Sequence, residues 1–148
     1  MNKLVLVESP YRGRNYESLP LNLAYGRACL RDCFMRGEFP FASHLLYTQD
    51  GVLSDKNPGE RELGIGAGLA WGSKAELTAV YFDLVDDWEF FVGMARGVQT
   101  ARRANRPVEF RNLPDENLVR LDPSIIAKRK NSLILQEELE EFIRIKNL

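Results

Sequence analysis

One short stretch constrains this chain more than any other, because an apolar run passes without a break into polar chemistry: Val5-Leu6-Val7-Glu8-Ser9-Pro10-Tyr11-Arg12-Gly13. Apolar residues on consecutive positions, rather than alternate ones, describe a strand buried on both faces, which needs helices above and below it. Pro10 and Gly13 stop the strand. A carboxylate, a hydroxyl, a phenol and a guanidinium thus fall at the carboxyl end of a buried parallel strand, where open α/β sheets place their ligands. Glu8 and Ser9 could hydrogen-bond a ligand there, Tyr11 could stack on it, and Arg12 could pair with an anionic group of it. The bland alternative is a capped strand end with an exposed arginine.

The rest of the chain supplies the helices that such a strand requires. Pro20 suits the first turn of a helix, where its missing N–H is harmless, and Leu21, Tyr25, Ala28, Cys29, Leu30 and Cys33 recur at helical spacing up to the stop at Gly37. Phe39-Pro40-Phe41-Ala42 reads as a second strand whose end meets Ser43 and His44. The stretch from Leu45 to Lys56 has no period and holds the turn Gln49-Asp50-Gly51, so we expect a flap over the crevice, bordered by Tyr47 and Asp55. Asn57-Pro58-Gly59-Glu60 is a cap, a first-turn proline and a capping-box glutamate, opening a helix through Ser73. Gly64, Gly66, Gly68 and Gly72 lie inside that helix. Each interior glycine costs about 1 kcal/mol relative to alanine, which implies close approach to the sheet or to a neighbouring subunit.

Leu77 to Asp83 is the third strand, and an acidic, aromatic loop from Leu84 to Val92 follows it. Gly93 is expected to open the next helix, through Ala104, and Pro107-Val108-Glu109-Phe110-Arg111 is the fourth strand. This alternation gives an α/β fold, a doubly wound and mainly parallel sheet of four to five strands, with an extra C-terminal helix. The domain spans 1–113. In 114–148, Asp122-Pro123 starts a helical extension in which Leu135, Leu139, Phe142 and Ile143 form an apolar stripe. That stripe could fold back on its own domain or clasp a second subunit of a homo-oligomer, and because both sheet faces already carry helices we expect the subunit.

Charge excludes some partners. Twenty basic against twenty-one acidic residues, a net charge of −1, lack the cationic footprint that nucleic acid demands. No apolar run is long enough to span a membrane, and no secretory core is visible, so the expected compartment is the cytoplasm. Cys29 and Cys33, four apart on one helical face, are expected to be buried and reduced. With a single histidine, no metal and no cofactor is expected. Asp83, Asp86, Asp87 and Glu89 could hold a hard cation but read better as a solvated loop, while Trp88, Phe90 and Phe91 suit either a subunit contact or a stacking wall.

Several other residues are candidates for the crevice. Ser43 and His44 end the second strand, and His44 could contact a ligand or act as general acid or base. Arg61, in a helix's first turn, opposes the dipole and so needs an anionic partner, either a ligand phosphate or a neighbouring carboxylate. Gly93 and Met94 would offer backbone N–H groups to an anion at a helix start. Gly64-Ile65-Gly66-Ala67-Gly68 is not a dinucleotide fingerprint, because it lies within a helix and its spacing is wrong.

Four segments together resemble the nucleoside 2-deoxyribosyltransferase-like superfamily, in particular its small phage and bacterial members of uncharacterised function. They are Val7 to Gly13, Phe41 to His44 with Glu60-Arg61, Val80-Tyr81-Phe82-Asp83, and Gly93-Met94 with Pro107 to Arg111. The resemblance implies a flavodoxin-like order, an oligomer whose neighbours help to build the site, and a nucleoside or nucleotide ligand. It also implies a glutamate nucleophile in a Gly-apolar-Glu-Leu-Gly run after the third strand. Here the run is Gly93-Met94-Ala95-Arg96-Gly97, with Ala95 at the nucleophile's position. The serine-bearing phosphate loop of nucleotide-cleaving relatives is likewise replaced, by Asp86 to Phe91. Either another carboxylate serves, with Glu8, Asp83 or Glu89 as candidates, or the chemistry is lost and the pocket kept. The expectation is a nucleotide-binding protein without turnover, in a phage setting a sequestering, anti-defence protein for a host nucleotide signal. The rival expectations are an N-glycosidase or deoxyribosyltransferase and a purely structural interaction protein.

Overall fold

The structure, a computed structural model of the chain, describes residues 2–11, 19–83, 89–118 and 132–146. Arg12, the acidic and aromatic run from Asp86 to Trp88, and the helix start at Asp122-Pro123 lie outside the described residues, as do the side chains of Glu89, Phe90, Phe91 and Leu135. The elements run β1 (Leu4–Glu8), α1 (Leu19–Met35), β2 (Phe39–Phe41), α2 (Ser43–Leu46), α3 (Pro58–Gly72), β3 (Leu77–Tyr81), α4 (Glu89–Arg103), β4 (Val108–Arg111), α5 (Asp115–Leu118) and α6 (Ser132–Lys146).

The strands form one all-parallel sheet in the order β2-β1-β3-β4. Register assigns the faces. Leu6 pairs with Thr78 and Glu8 with Val80 on one face, while Val5 pairs with Leu77 and Val7 with Ala79 on the other. The second face packs with Tyr25, Cys29 and Cys33 of α1 and with Leu113 into one core cluster. The first face packs through Val80, Phe82, Val108 and Phe110 with Met94, Ala95 and Val98 of α4 and with Leu139 and Ile143 of α6. Helices therefore cover both faces, which explains the uninterrupted apolar character of β1 and β3. Cys29 and Cys33 are buried free thiols.

Close packing accounts for two of the glycines in α3. A Cβ on Gly72 would stand 2.9 Å from Leu6 Cδ2, and one on Gly68 would stand 2.6 Å from Ser43 Oγ. Larger residues would push α3 off β1 and α2. At the start of α3, the Asn57 side chain accepts the Glu60 N–H at 3.1 Å, as the cap requires. The other half of the expected box is filled differently, because the Asn57 N–H donates to Ser54 O.

Two expectations change. Helix α4 begins at Glu89 rather than at Gly93, so four residues assigned to the loop are helical and Gly93 is tolerated inside the helix. Helix α6 lies against α4 and β4 of its own chain, and its Leu139 is fully buried there. Leu139, Phe142 and Ile143 of the apolar stripe thus pack on their own chain, because α4 leaves room beside it on the β4 edge.

Candidate functional site

The chain leaves β1 for β2 through α1 on one face, then passes back across β1 to β3 through α3 on the other. The order reverses between β1 and β3, and the crevice beyond their carboxyl ends is where a doubly wound sheet takes a ligand. Ser9 and Tyr11 extend from β1 toward this point, and α2 brings Ser43, His44 and the adjoining Tyr47 to it from β2.

Ser9 Oγ and His44 Nε2 share a hydrogen bond of 2.7 Å. The Tyr11 ring meets the His44 ring edge-on, with centroids 6.2 Å apart. Burial pushes the His44 pKa down to about 4, so the imidazole is neutral at physiological pH. It can then exchange hydrogen bonds with a ligand but is a poor general acid. Ser9 is buried, and the next residue, Pro10, has no N–H to offer.

The chain after β1 is held by Asn22, whose Nδ2 donates to Tyr11 O at 2.6 Å. Thr48 donates its hydroxyl to His44 O at 2.6 Å, which ties the segment after α2 to the histidine. Burial raises the Tyr11 phenol pKa, with the Thr48 hydroxyl opposing that rise and Asp55 adding to it. Together these groups and α3 enclose a cleft of about 80 Å³ lined by Tyr11, Ser43, His44, Tyr47, Asp55 and Arg61 among others. The segment expected to be a flap supplies one of its walls through Thr48, Leu53 and Asp55. Arg61 Nε stands 3.6 Å from Asp55 Oδ1, so the anionic partner its helix position called for is a carboxylate of the chain itself. A wider hollow of about 650 Å³ lies along the charged surface of α6, a helix that packs on β4 at the far edge of the sheet from this cleft.

Glu8 stands apart from that cleft, on the α4 side of β1. Its carboxyl group is pressed against Gly97, and burial raises its pKa to about 8, with the charge of Arg106 pulling in the opposite direction. Arg106 is itself buried and donates from Nε to Thr78 Oγ1 at 2.9 Å. At neutral pH Glu8 therefore sits at the crevice largely protonated.

Three expected site residues have other surroundings. Asp83 is fully buried, accepts a hydrogen bond from the Tyr25 hydroxyl, and accepts the Leu113 N–H at 3.1 Å, which makes it a brace between β3, α1 and the segment after β4. Gly93 and Met94 lie one turn inside α4, where their N–H groups belong to the helix, and Met94 is part of the core rather than of an anion site. Ala95 is fully buried in the same core. The position on α4 that meets a crevice carboxyl is Gly97, two residues further on.

Sequence reading missed Asn22, Thr48, Gly97 and Arg106. Asn22 is a polar residue on the buried face of α1 that carries Tyr25, Cys29 and also Asp32, and that placement was the available signal.

These features define a doubly wound α/β protein with a small polar and aromatic cleft at its switch point. Residues 3–111 match the family described as "Domain of unknown function (DUF7768)", and the chain belongs to that family. No curated protein and no solved structure matches the chain.

Proposed function

We propose that the cleft binds a nucleotide-derived small molecule and releases it unchanged. The observation that carries this reading is the convergence of Tyr11, Tyr47, Ser43 and a neutral His44 braced by Ser9 at the switch point. Aromatic rings offer stacking surface to a base, while the hydroxyls and imidazole can exchange hydrogen bonds with base or ribose edges. A cleft of about 80 Å³ is well below the roughly 300 Å³ of a drug-sized pocket. It accepts one ring or one sugar, with the rest of the ligand lying along the crevice toward Glu8. Ala95, at the position where the resembling enzymes carry their glutamate, supports binding without turnover.

On the same reading the protein works in the cytoplasm as an assembly of identical chains. In a phage setting, which the resemblance alone suggests, its role is to sequester a host nucleotide signal. Titration calorimetry against nucleotides, cyclic nucleotides and ADP-ribose derivatives tests the binding, with micromolar affinity and unchanged ligand on subsequent chromatography as the expected result. No heat with any member of the panel ends the proposal.

One observation favours a second reading, that of an N-glycosidase or transferase. A carboxyl with a pKa near 8 is a proton donor at neutral pH, as a glycosidic general acid must be. Release of free base from nucleosides or nucleotides, abolished by Glu8→Gln, would establish it in place of the first.

A further inference from the structure

Among the described residues, helix α3 is covered on one side only. Gly68 and Gly72 face inward, and Glu62, Leu63, Gly66, Leu69, Ala70 and Ser73 form an exposed outer face at helical spacing. Leu63 is 66% exposed and Leu69 52%, on a helix of only 15 residues. Exposed leucines on the outer side of a helix whose inner side is packed mark a candidate interaction site.

Gly66 lies at the centre of this face, and an added Cβ there would meet nothing among the described residues within 4 Å, so a neighbour can approach the helix backbone closely at this point. The charges then choose the occupant. Glu62 and Lys74 are both exposed, at opposite ends of this face. If Gly66 of one copy is set against Ala70 of an antiparallel second copy, both pairs are centred on residue 68, so Glu62 comes level with Lys74 twice over. A surface that is apolar in the middle, small at its centre and opposite in charge at its two ends is complementary to itself.

We propose that α3 is the two-fold interface of a homodimer, formed by antiparallel packing of its Leu63, Gly66, Leu69 and Ala70 face on the same face of a second copy. The inference takes up the assembly part of the proposed function and gives it a location, and it holds whatever the cleft binds. It also couples assembly to the site. Ile65 lies at the border of this face and lines the cleft, so the second copy comes alongside the cleft's outer wall.

Light scattering and sedimentation of the full chain at micromolar concentration test the interface. The expected mass is twice the 16.9 kDa of one chain. Leu69→Glu is expected to give monomers. Because a core-like variant can also misfold, the decisive pair is charge reversal at exposed positions. Glu62→Lys should weaken the dimer about tenfold by setting two like-charge pairs across the axis, and Glu62→Lys with Lys74→Glu should restore it. A monomeric parent overturns both the interface and the assembly. A parent dimer indifferent to Leu69→Glu overturns the α3 interface and leaves the assembly standing. A dimer lost in Glu62→Lys but not restored by the double reversal overturns the antiparallel register.

Discussion

The carboxyl group of Glu8 rests on the backbone of α4 at Gly97, where an added Cβ would collide with Oε1. The glycine makes a recess that holds this carboxyl away from water, and the raised pKa follows from that enclosure. Alanine in its place should gain about 1 kcal/mol of helix propensity while pushing the end of a flexible side chain outward. We expect Gly97→Ala to stay within about 1 kcal/mol of the parent in stability, with Glu8 titrating closer to 4.5 than to 8. Carbon-detected NMR titration of the Glu8 carboxyl reads this directly. An unmoved titration would show that the recess is not the cause.

Glu8 and His44 should give stability two opposing dependences on pH. For Glu8, the folded value of about 8 lies above 4.5, so the folded chain keeps a proton that the unfolded chain has released. Its contribution is complete below pH 4.5 and is lost as the pH rises to about 8. For His44, the folded value of about 4 lies below 6.5, so the unfolded chain takes up the extra proton and stability rises with pH across that window. Each slope is at most roughly 1.4 kcal/mol per pH unit. They oppose one another up to pH 6.5, beyond which only the decline due to Glu8 continues. Glu8→Gln should abolish that decline and unmask the rise. Urea melts at half-unit pH intervals decide the matter, and a variant that still loses stability from pH 6.5 to 8 would count against the assignment.

The parts of this molecule that follow from local pattern were legible in the chain. The apolar runs of β1 and β3, the Asn57-Pro58 cap and the stop at Gly37 each depend on neighbours in sequence. What depends on meetings across the fold was not. Asp83 ends β3 as a crevice residue would, but Tyr25 reaches it from α1 and Leu113 from beyond β4. Gly93 looks like a helix start because glycine breaks helices, yet packing of Met94, Ala95 and Val98 on the sheet carries α4 through it. The Ser9 to His44 hydrogen bond spans 35 residues, and no periodicity announces it.

The α1 face holds a polar cluster that the sequence did not announce either. Arg111 is buried and binds Glu38 through two hydrogen bonds of 2.8 Å, Glu109 at 2.9 Å and the Tyr81 hydroxyl at 3.2 Å. The Arg111 hydrogen bonds hold the Glu38 carboxyl below its ordinary pKa. Removing one member leaves a poorly solvated charge, so Arg111→Met should cost about 3 kcal/mol. Adding Glu38→Gln to it should recover part of that loss, and a double-mutant cycle in urea gives the coupling. Additive losses would mean that the two residues do not act as a pair.

Asp83 supplies the sharpest separation between a brace and a catalyst. Its two oxygens accept from two different elements, the Tyr25 hydroxyl and the Leu113 N–H. Asparagine can keep its oxygen on the Leu113 N–H only by turning its amide toward Tyr25, whose buried hydroxyl must then accept and loses the charged acceptor for its own proton, a cost of about 1 to 3 kcal/mol. Asp83→Asn should therefore lower the unfolding free energy by about that amount while leaving the ligand affinity of the remaining folded protein within about twofold of the parent, a difference of roughly 0.4 kcal/mol. Calorimetric titration below the variant's melting temperature, alongside chemical denaturation, reads both quantities. A fully stable Asp83→Asn protein that no longer binds or turns over a nucleotide would instead return Asp83 to the site, and the cleft would then have to extend beneath β3.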